Sequence, residues 1–443
     1  MTAAGSGRPW SVVLWVLALT LPVGSFVQPW LFPSRSDMPV ISRQLTAPVI
    51  LITVPGLRAD HVTHLGYDRP TTPVLDRIAE QGVSVLGFHT NSNDAVATLA
   101  TVFTGRCPAT SGVRGAGDRL PDEVQTLAEH LRNRGLSTAA VLSDPALIDA
   151  NLAQGFGTVM LREGVDADVL LNEALRLVRE KVDLPYFIWV DLSDLAAPYG
   201  SANTDISRFA PDAPPEFGHD PGNYDLNAAE LAVRGWGETE LSWMVARYDA
   251  ALADLDAAIG RFAQALVDMN ELEMLTLCVM GTRGERLVDK PGRWFTHGVD
   301  LFEHSLHTPL LVRLPSQYQR GLRLGRREMS IDVGLLLADL GARRPWTAPQ
   351  GQSIKQDLLF RTETRKAVFA EGLVQPDTGG RGTRRHVLNT LGWKLITNAD
   401  GSQPVVYQIS NDPTESSQVS LPPIQLEALQ AHWGDWTDAC LDR

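Results

Sequence analysis

The chain has 443 residues, with 39 Lys and Arg against 52 Asp and Glu, a formal net charge of −13 and 44% hydrophobic residues. That length sustains a large core and one to three domains. The acidic balance, with basic residues scattered apart from "RGTRR" at 381–385, argues against a nucleic-acid partner, which needs clustered Lys and Arg.

Arg8 precedes an uncharged apolar run over 10–27. A basic residue, a short apolar core and small residues such as Val23 and Ser25 fit a cleaved secretory signal. The run is also nearly long enough to cross a bilayer, and Trp10 and Trp30 flank it as interfacial anchors would. Either reading of 1–28 puts the folded part outside the cytoplasm, in the periplasm or at the cell surface. Residues 29–46, bearing Pro and Ser, read as a linker.

The folded chain begins with the apolar, β-branched stretch 49–54, expected as a strand buried on both faces of a parallel sheet. It ends in a turn at Pro55 and Gly56. A helix over 72–81 stops at Gly82, and an amphipathic helix over 124–134 is closed by Gly135. Strand 137–143, helix 167–182 and strand 185–193 continue the βα alternation, which predicts a doubly wound sheet. Residues 200–238 are rich in Pro, Gly, Asp and Asn and read as a long surface excursion. A helix with apolar residues at three and four spans 240–269, followed by strands at 274–281 and 308–315 and a helix at 330–341. These make one α/β domain over 47–345. Beyond it, short strands at 366–372, 393–398 and 404–410 and a helix at 423–436 predict a small antiparallel subdomain over 346–443. The three cysteines, Cys107, Cys278 and Cys440, supply neither a Cys-x-x-Cys metal pair nor a disulfide framework. Cys278 lies in a strand and is expected as an inert core thiol.

The stretch "LRADHVTHLGYDRPTTPVLDRIA" (57–79) resembles the opening of the sulfatases of the alkaline phosphatase superfamily. Later segments follow the same family in order: "TLATVFTGRCPATSGV", "YFIWVDLSDLAAPY", "GTRGE", "HGVDLFEHSLHTPLLVRLP" and "VYQISNDPTES". The resemblance implies an alkaline-phosphatase-like α/β fold. It also implies sulfuric or phosphoric ester hydrolysis, with a calcium ion held by carboxylates and a nucleophile made from Cys or Ser.

The implied site residues are what this chain lacks. The nucleophile position falls on Ala95, the first metal carboxylates on Pro55 and Gly56, and the later metal pair on Thr282 and Arg283. The middle His positions fall on Asp191 and Ala196, and a further His on Ser111. Leu57, Arg58, Asp60, Gly105, Tyr199, Gly284, Glu285, His297, Gly298 and Pro309 keep the pattern. The losses therefore sit at the chemistry and spare the scaffold. A guanidinium at 283 cannot ligate a cation.

The expectation is a sulfatase-like protein of the cell envelope, catalytically inactive, with no metal and a binding or scaffolding role. The alternative is an ester hydrolase or transferase using a nonstandard site. The candidate pocket is Arg283, His297, Asp94 and Asp191. Arg283 must reach solvent, pair with a carboxylate (Asp94 or Asp191 by family position) or receive an anion, which opens the pocket to a sulfate or phosphate ester. His304 and His307 read as surface residues, Glu285 as structural, and Thr98 and Thr101 as helix packing rather than a displaced nucleophile.

Overall fold

A computed structural model describes residues 47–180, 185–197, 199–200, 204–210, 226–227, 235–342, 346, 350–355, 367–375, 382–390 and 392–441. The expected signal or anchor, the linker and most of the 200–238 excursion lie outside the described residues.

The first strand, β1 (Val49–Pro55), is buried at every position. A run with no polar face can only be satisfied with strands on both edges and helices on both faces. It lies between β5 (Tyr186–Asp191) and β7 (Thr276–Arg283), parallel to both. With β2 (Val83–His89), β3 (Ser137–Leu142), β4 (Thr158–Leu161), β9 (Leu310–Arg313) and β10 (Leu322–Met329) they form one eight-stranded sheet, in the order β10-β2-β9-β7-β1-β5-β3-β4. Only β9 runs antiparallel to its neighbours. A two-residue pair, β6 (Leu226–Asn227) with β8 (Arg293–Trp294), stands apart from it.

Alternation along β1 divides the core. Ile50, Ile52 and Val54 pack on one face with α1 (Pro73–Gln81), α4 (Ala167–Glu180) and the long α5 (Glu238–Asp268). Val49 and Leu51 pack on the other with α2 (Ala95–Thr104), α3 (Leu127–Arg132) and α6 (Ser330–Gly341). The helix α3 starts at a capping box in which Thr126 and Glu129 satisfy each other's backbone N–H.

A second sheet, β11 (Ala367–Val374), β12 (Thr383–Thr390), β13 (Lys394–Asn398) and β14 (Val405–Tyr407), is antiparallel throughout. The last helix, α7 (Pro423–Leu441), reaches it through Trp436, stacked on Phe369 at 5.1 Å. The seam between the sheets carries buried polar contacts. Asn91 Nδ2 donates to the Phe369 carbonyl at 2.8 Å, and the fully buried Lys394 ammonium lies 3.0 Å from Glu303 and 2.9 Å from Glu415.

The expected α/β class, with a mostly parallel central sheet and a smaller antiparallel one, is the observed one. Three strands of the central sheet, β2, β4 and β10, were not legible from the sequence, nor were β12 and the short β6 and β8 outside it. Glycines interrupt β2 and β10, and β10 also carries three arginines and a glutamate, so its apolar pattern is broken. The strand β4 has four residues and sits at the sheet edge. The cysteine reading is corrected in one respect: Cys107 and Cys440 form a disulfide across 333 residues, a pairing that spacing alone cannot reveal. Cys278 is buried in β7, where desolvation pushes its thiol up to about 12, as expected of a core thiol.

Candidate functional site

In a sheet of parallel strands, ligands sit where the strands end at their carboxyl edge. Here β1, β5 and β7 end side by side. Thr53 is level with Asp191, and Val54 with Gly281. One residue on, Pro55 is level with Arg283, so Thr282 is the extra residue of a β-bulge. A bulge disrupts the ladder locally and bends the strand, here just before Arg283. The strand β2 is parallel to these and leads through 90–94 to Ala95 at the same edge.

Gly56 replaces a residue that the family resemblance would make a carboxylate. Its φ is +88°, and a Cβ there would lie 2.8 Å from the Leu195 carbonyl oxygen. Its N–H donates to the Arg283 carbonyl at 3.0 Å, and its own carbonyl accepts from Tyr248 Oη at 2.6 Å. The turn is thus built for glycine, in a conformation L-residues disfavour and in a space without room for a side chain.

Arg283 is buried, and its partner is neither Asp94 nor Asp191. Its Nη1 donates to Glu285 Oε2 at 2.7 Å and to the Gly284 carbonyl at 3.1 Å. Glu285 is fully buried, and it also accepts from Tyr199 Oη at 2.8 Å, while His297 Nδ1 lies 3.4 Å away. Burial alone would raise the Glu285 carboxyl. The His297 hydrogen bond and the Arg283 charge, joined by Tyr199, outweigh it and hold the group below its ordinary range. Arg58 fastens the same segment: Nη1 donates to the Glu285 carbonyl at 3.0 Å, and the guanidinium pairs with Asp60 and Asp289. His297 is 48% exposed and brings the cluster to the surface.

The other two expected pocket carboxylates have different duties. Asp94 caps α2, accepting from Ala97 N at 3.0 Å and from Ala116 N at 3.2 Å. Asp191 is buried beside β1, where its Oδ1 accepts from Thr53 Oγ1 at 2.5 Å and Thr53 in turn accepts from Trp189 Nε1 at 2.9 Å. Burial raises the Asp191 carboxyl to about 7, against the opposing pull of Thr53 and Arg283. The structure thus joins Arg283 and His297 through Glu285, whereas Asp94 and Asp191 make no ion pair with Arg283.

Ala95 is the first residue of α2 and offers no nucleophilic atom. The nearby hydroxyls are engaged: Thr98 Oγ1 donates to the Ser92 carbonyl at 3.1 Å and Thr101 Oγ1 to the Thr98 carbonyl at 2.7 Å. Both are packing residues, as expected. The two other histidines are not surface residues. His304 is buried with Nε2 3.0 Å from Asp300 Oδ2, and His307 bonds the Leu86 carbonyl and stacks on His89 with ring centroids 5.0 Å apart.

The family resemblance implies a calcium ion here, and the residues present do not fit one. Such an ion takes six to eight oxygen ligands. At its positions stand a proline, a glycine without room for a side chain, the Thr282 hydroxyl, and a guanidinium bonded to the buried Glu285 carboxylate. Among the described residues no three His, Cys, Asp or Glu side chains gather as a metal would require.

Glu285 is the site residue whose partnership sequence reading missed. The signal was present in "TRGE": residues two apart on an extended backbone face the same side.

The protein-family model of sulfatases matches residues 48–334. No curated protein matches the sequence. Solved structures do. The phosphonate monoester hydrolase of Agrobacterium radiobacter is 18% identical with a TM-score of 0.70, over 89% of this chain and 95% of its own. The phosphonate monoester hydrolase of Silicibacter pomeroyi is 15% identical with a TM-score of 0.70, over 90% and 96%. A protein solved in complex with its substrate, D-glucosamine-2-N,6-O-disulfate, is 16% identical with a TM-score of 0.74, over 90% and 98%. At these identities the likeness shows a shared fold.

Proposed function

The chain belongs to the sulfatase family, and from that premise we propose that it is a member without hydrolytic activity, acting as a binding or scaffolding protein of the cell envelope. The observation that carries this reading is Ala95 at the head of α2, where the family resemblance calls for a nucleophile. A methyl group can neither attack an ester nor be converted to a formylglycine, and the flanking hydroxyls are held by backbone carbonyls. The ion pair of Arg283 with Glu285 adds to it, because a guanidinium occupies the ground a metal would need.

Sulfate or phosphonate esters are the ligand class the relatives suggest. Arg283 is not free to grip such an anion, since Glu285 neutralises it. His297, half exposed, is the member of the cluster that meets solvent. Location in the envelope is supported by the apolar run at 10–27 and by the Cys107–Cys440 disulfide, a bond that persists in oxidising compartments.

The test is turnover of aryl sulfates and aryl phosphates by the purified full chain, with and without calcium. No rate above the buffer blank is expected. Ala95→Cys alone should remain inactive, because "AVATL" (95–99) lacks the Pro and Arg that the family's Cys/Ser-x-Pro-x-Arg signal for formylglycine needs, and the metal carboxylates are still missing. Calcium-dependent turnover that co-purifies with the protein would overturn the reading.

A further inference from the structure

We infer that the Arg283 guanidinium is a built-in replacement for the divalent cation of this fold, so that the carboxylates at the ends of the central strands need no metal. The inference rests on the family reading above, and it concerns what holds the site together rather than whether the site turns over.

The charge balance carries it. Glu285 is wholly buried, and a lone carboxylate there would cost several kcal/mol even after relaxation. It is instead met on one oxygen by Arg283 Nη1 at 2.7 Å and His297 Nδ1 at 3.4 Å, and on the other by Tyr199 Oη at 2.8 Å. Among the described residues Arg283 is the only fixed positive charge on that carboxylate. The Gly56 N–H holds its backbone carbonyl at 3.0 Å. Arg58 pins the Glu285 carbonyl from the other side. The guanidinium and the Glu285 carboxylate therefore balance each other's charge as they stand. A cation added there would meet the guanidinium at contact distance from the carboxylate it needs.

Three full-length proteins test this by thermal melting and by calorimetric titration with calcium chloride, at matched ionic strength and with EDTA as control. Wild type should show neither a melting shift nor a binding isotherm. Arg283→Asp should melt lower by on the order of 10 °C, and calcium should not restore the loss, because a proline, a glycine without room for a side chain and a single hydroxyl stand where its other ligands would be. Arg283→Lys, which keeps the charge, should hold most of the wild-type stability without calcium. It also decides the matter if Arg283→Asp does not fold. Saturable calcium stabilisation of wild type overturns the inference. So does calcium dependence of Arg283→Lys, or an Arg283→Asp protein that melts with wild type or is rescued by calcium. Failure here is distinct from failure of the proposed function: calcium binding by an inactive wild type sinks only this inference, and metal-independent turnover sinks only that reading.

Discussion

Arg283 and Glu285 lie two residues apart in the chain, and their side chains meet at 2.7 Å in a space where the carboxylate has no solvent exposure. The fold around them prevents any simple exchange. Gly284 between them faces the His304 carbonyl so closely that no side chain fits, and Tyr199 and Arg58 arrive from distant segments to complete the arrangement. Breaking one half should therefore be costly. Glu285→Gln strands a buried guanidinium, and chemical denaturation should show a loss of about 3–5 kcal/mol. Replacing both partners with apolar residues of similar volume should cost much less, because a buried ion pair and a packed apolar pair are close in net stability. Equal losses in the single and double variants would refute the pairing.

Gly56 is a second fixed point. A side chain there meets both a left-handed φ and the Leu195 carbonyl at 2.8 Å. Gly56→Ala should destabilise by on the order of 2–4 kcal/mol. The same geometry means that restoring a family carboxylate at 56 will not rebuild a metal site on this backbone. A Gly56→Ala protein with an unchanged denaturation midpoint would contradict the turn geometry.

Asp191 gives a pH signature. Its carboxyl titrates near 7 in the fold because burial disfavours the charge, against about 3.9 in an unfolded chain. Between these values the folded state holds the extra proton, so its contribution to stability declines as pH rises from about 4 to 7 and is constant above. Asp191→Asn removes that decline. Relative to wild type, the variant should gain stability over the same interval, by on the order of a few kcal/mol at pH 8. Asp194 and Asp256, also raised to about 6 by burial, remain in both proteins and cancel from the difference. A stability difference that does not change between pH 4 and 8 would refute the assignment.

The Cys107–Cys440 disulfide ties α7 to the segment after α2. Reduction should lower stability by about 2–4 kcal/mol, chiefly by freeing the unfolded chain. Cys440→Ser should show the same loss and no further response to reductant. Mass spectrometry of the oxidised wild type should find only one free thiol, on Cys278, when the protein is alkylated after unfolding.

The sequence by itself determined the fold class and the departures from the family's site residues. An unbroken apolar run at 49–54 has one stable environment, the middle of a covered parallel sheet, and the βα order that follows leaves few ways to wind it. Ala95, Pro55 and Gly56 were legible as departures from the family pattern because a side chain's chemistry is written in its identity. What surrounds a residue is not. Charge and family position allowed Asp94 or Asp191 as the partner of Arg283, but in the fold that guanidinium meets Glu285. Asp94 was already engaged as the cap of α2, and Asp191 by the Thr53 hydroxyl across β1. The Cys107–Cys440 bond, the buried His304 and the seam at Lys394 likewise join residues far apart along the chain. Such pairings depend on where whole elements pack, and only the tertiary structure decides that.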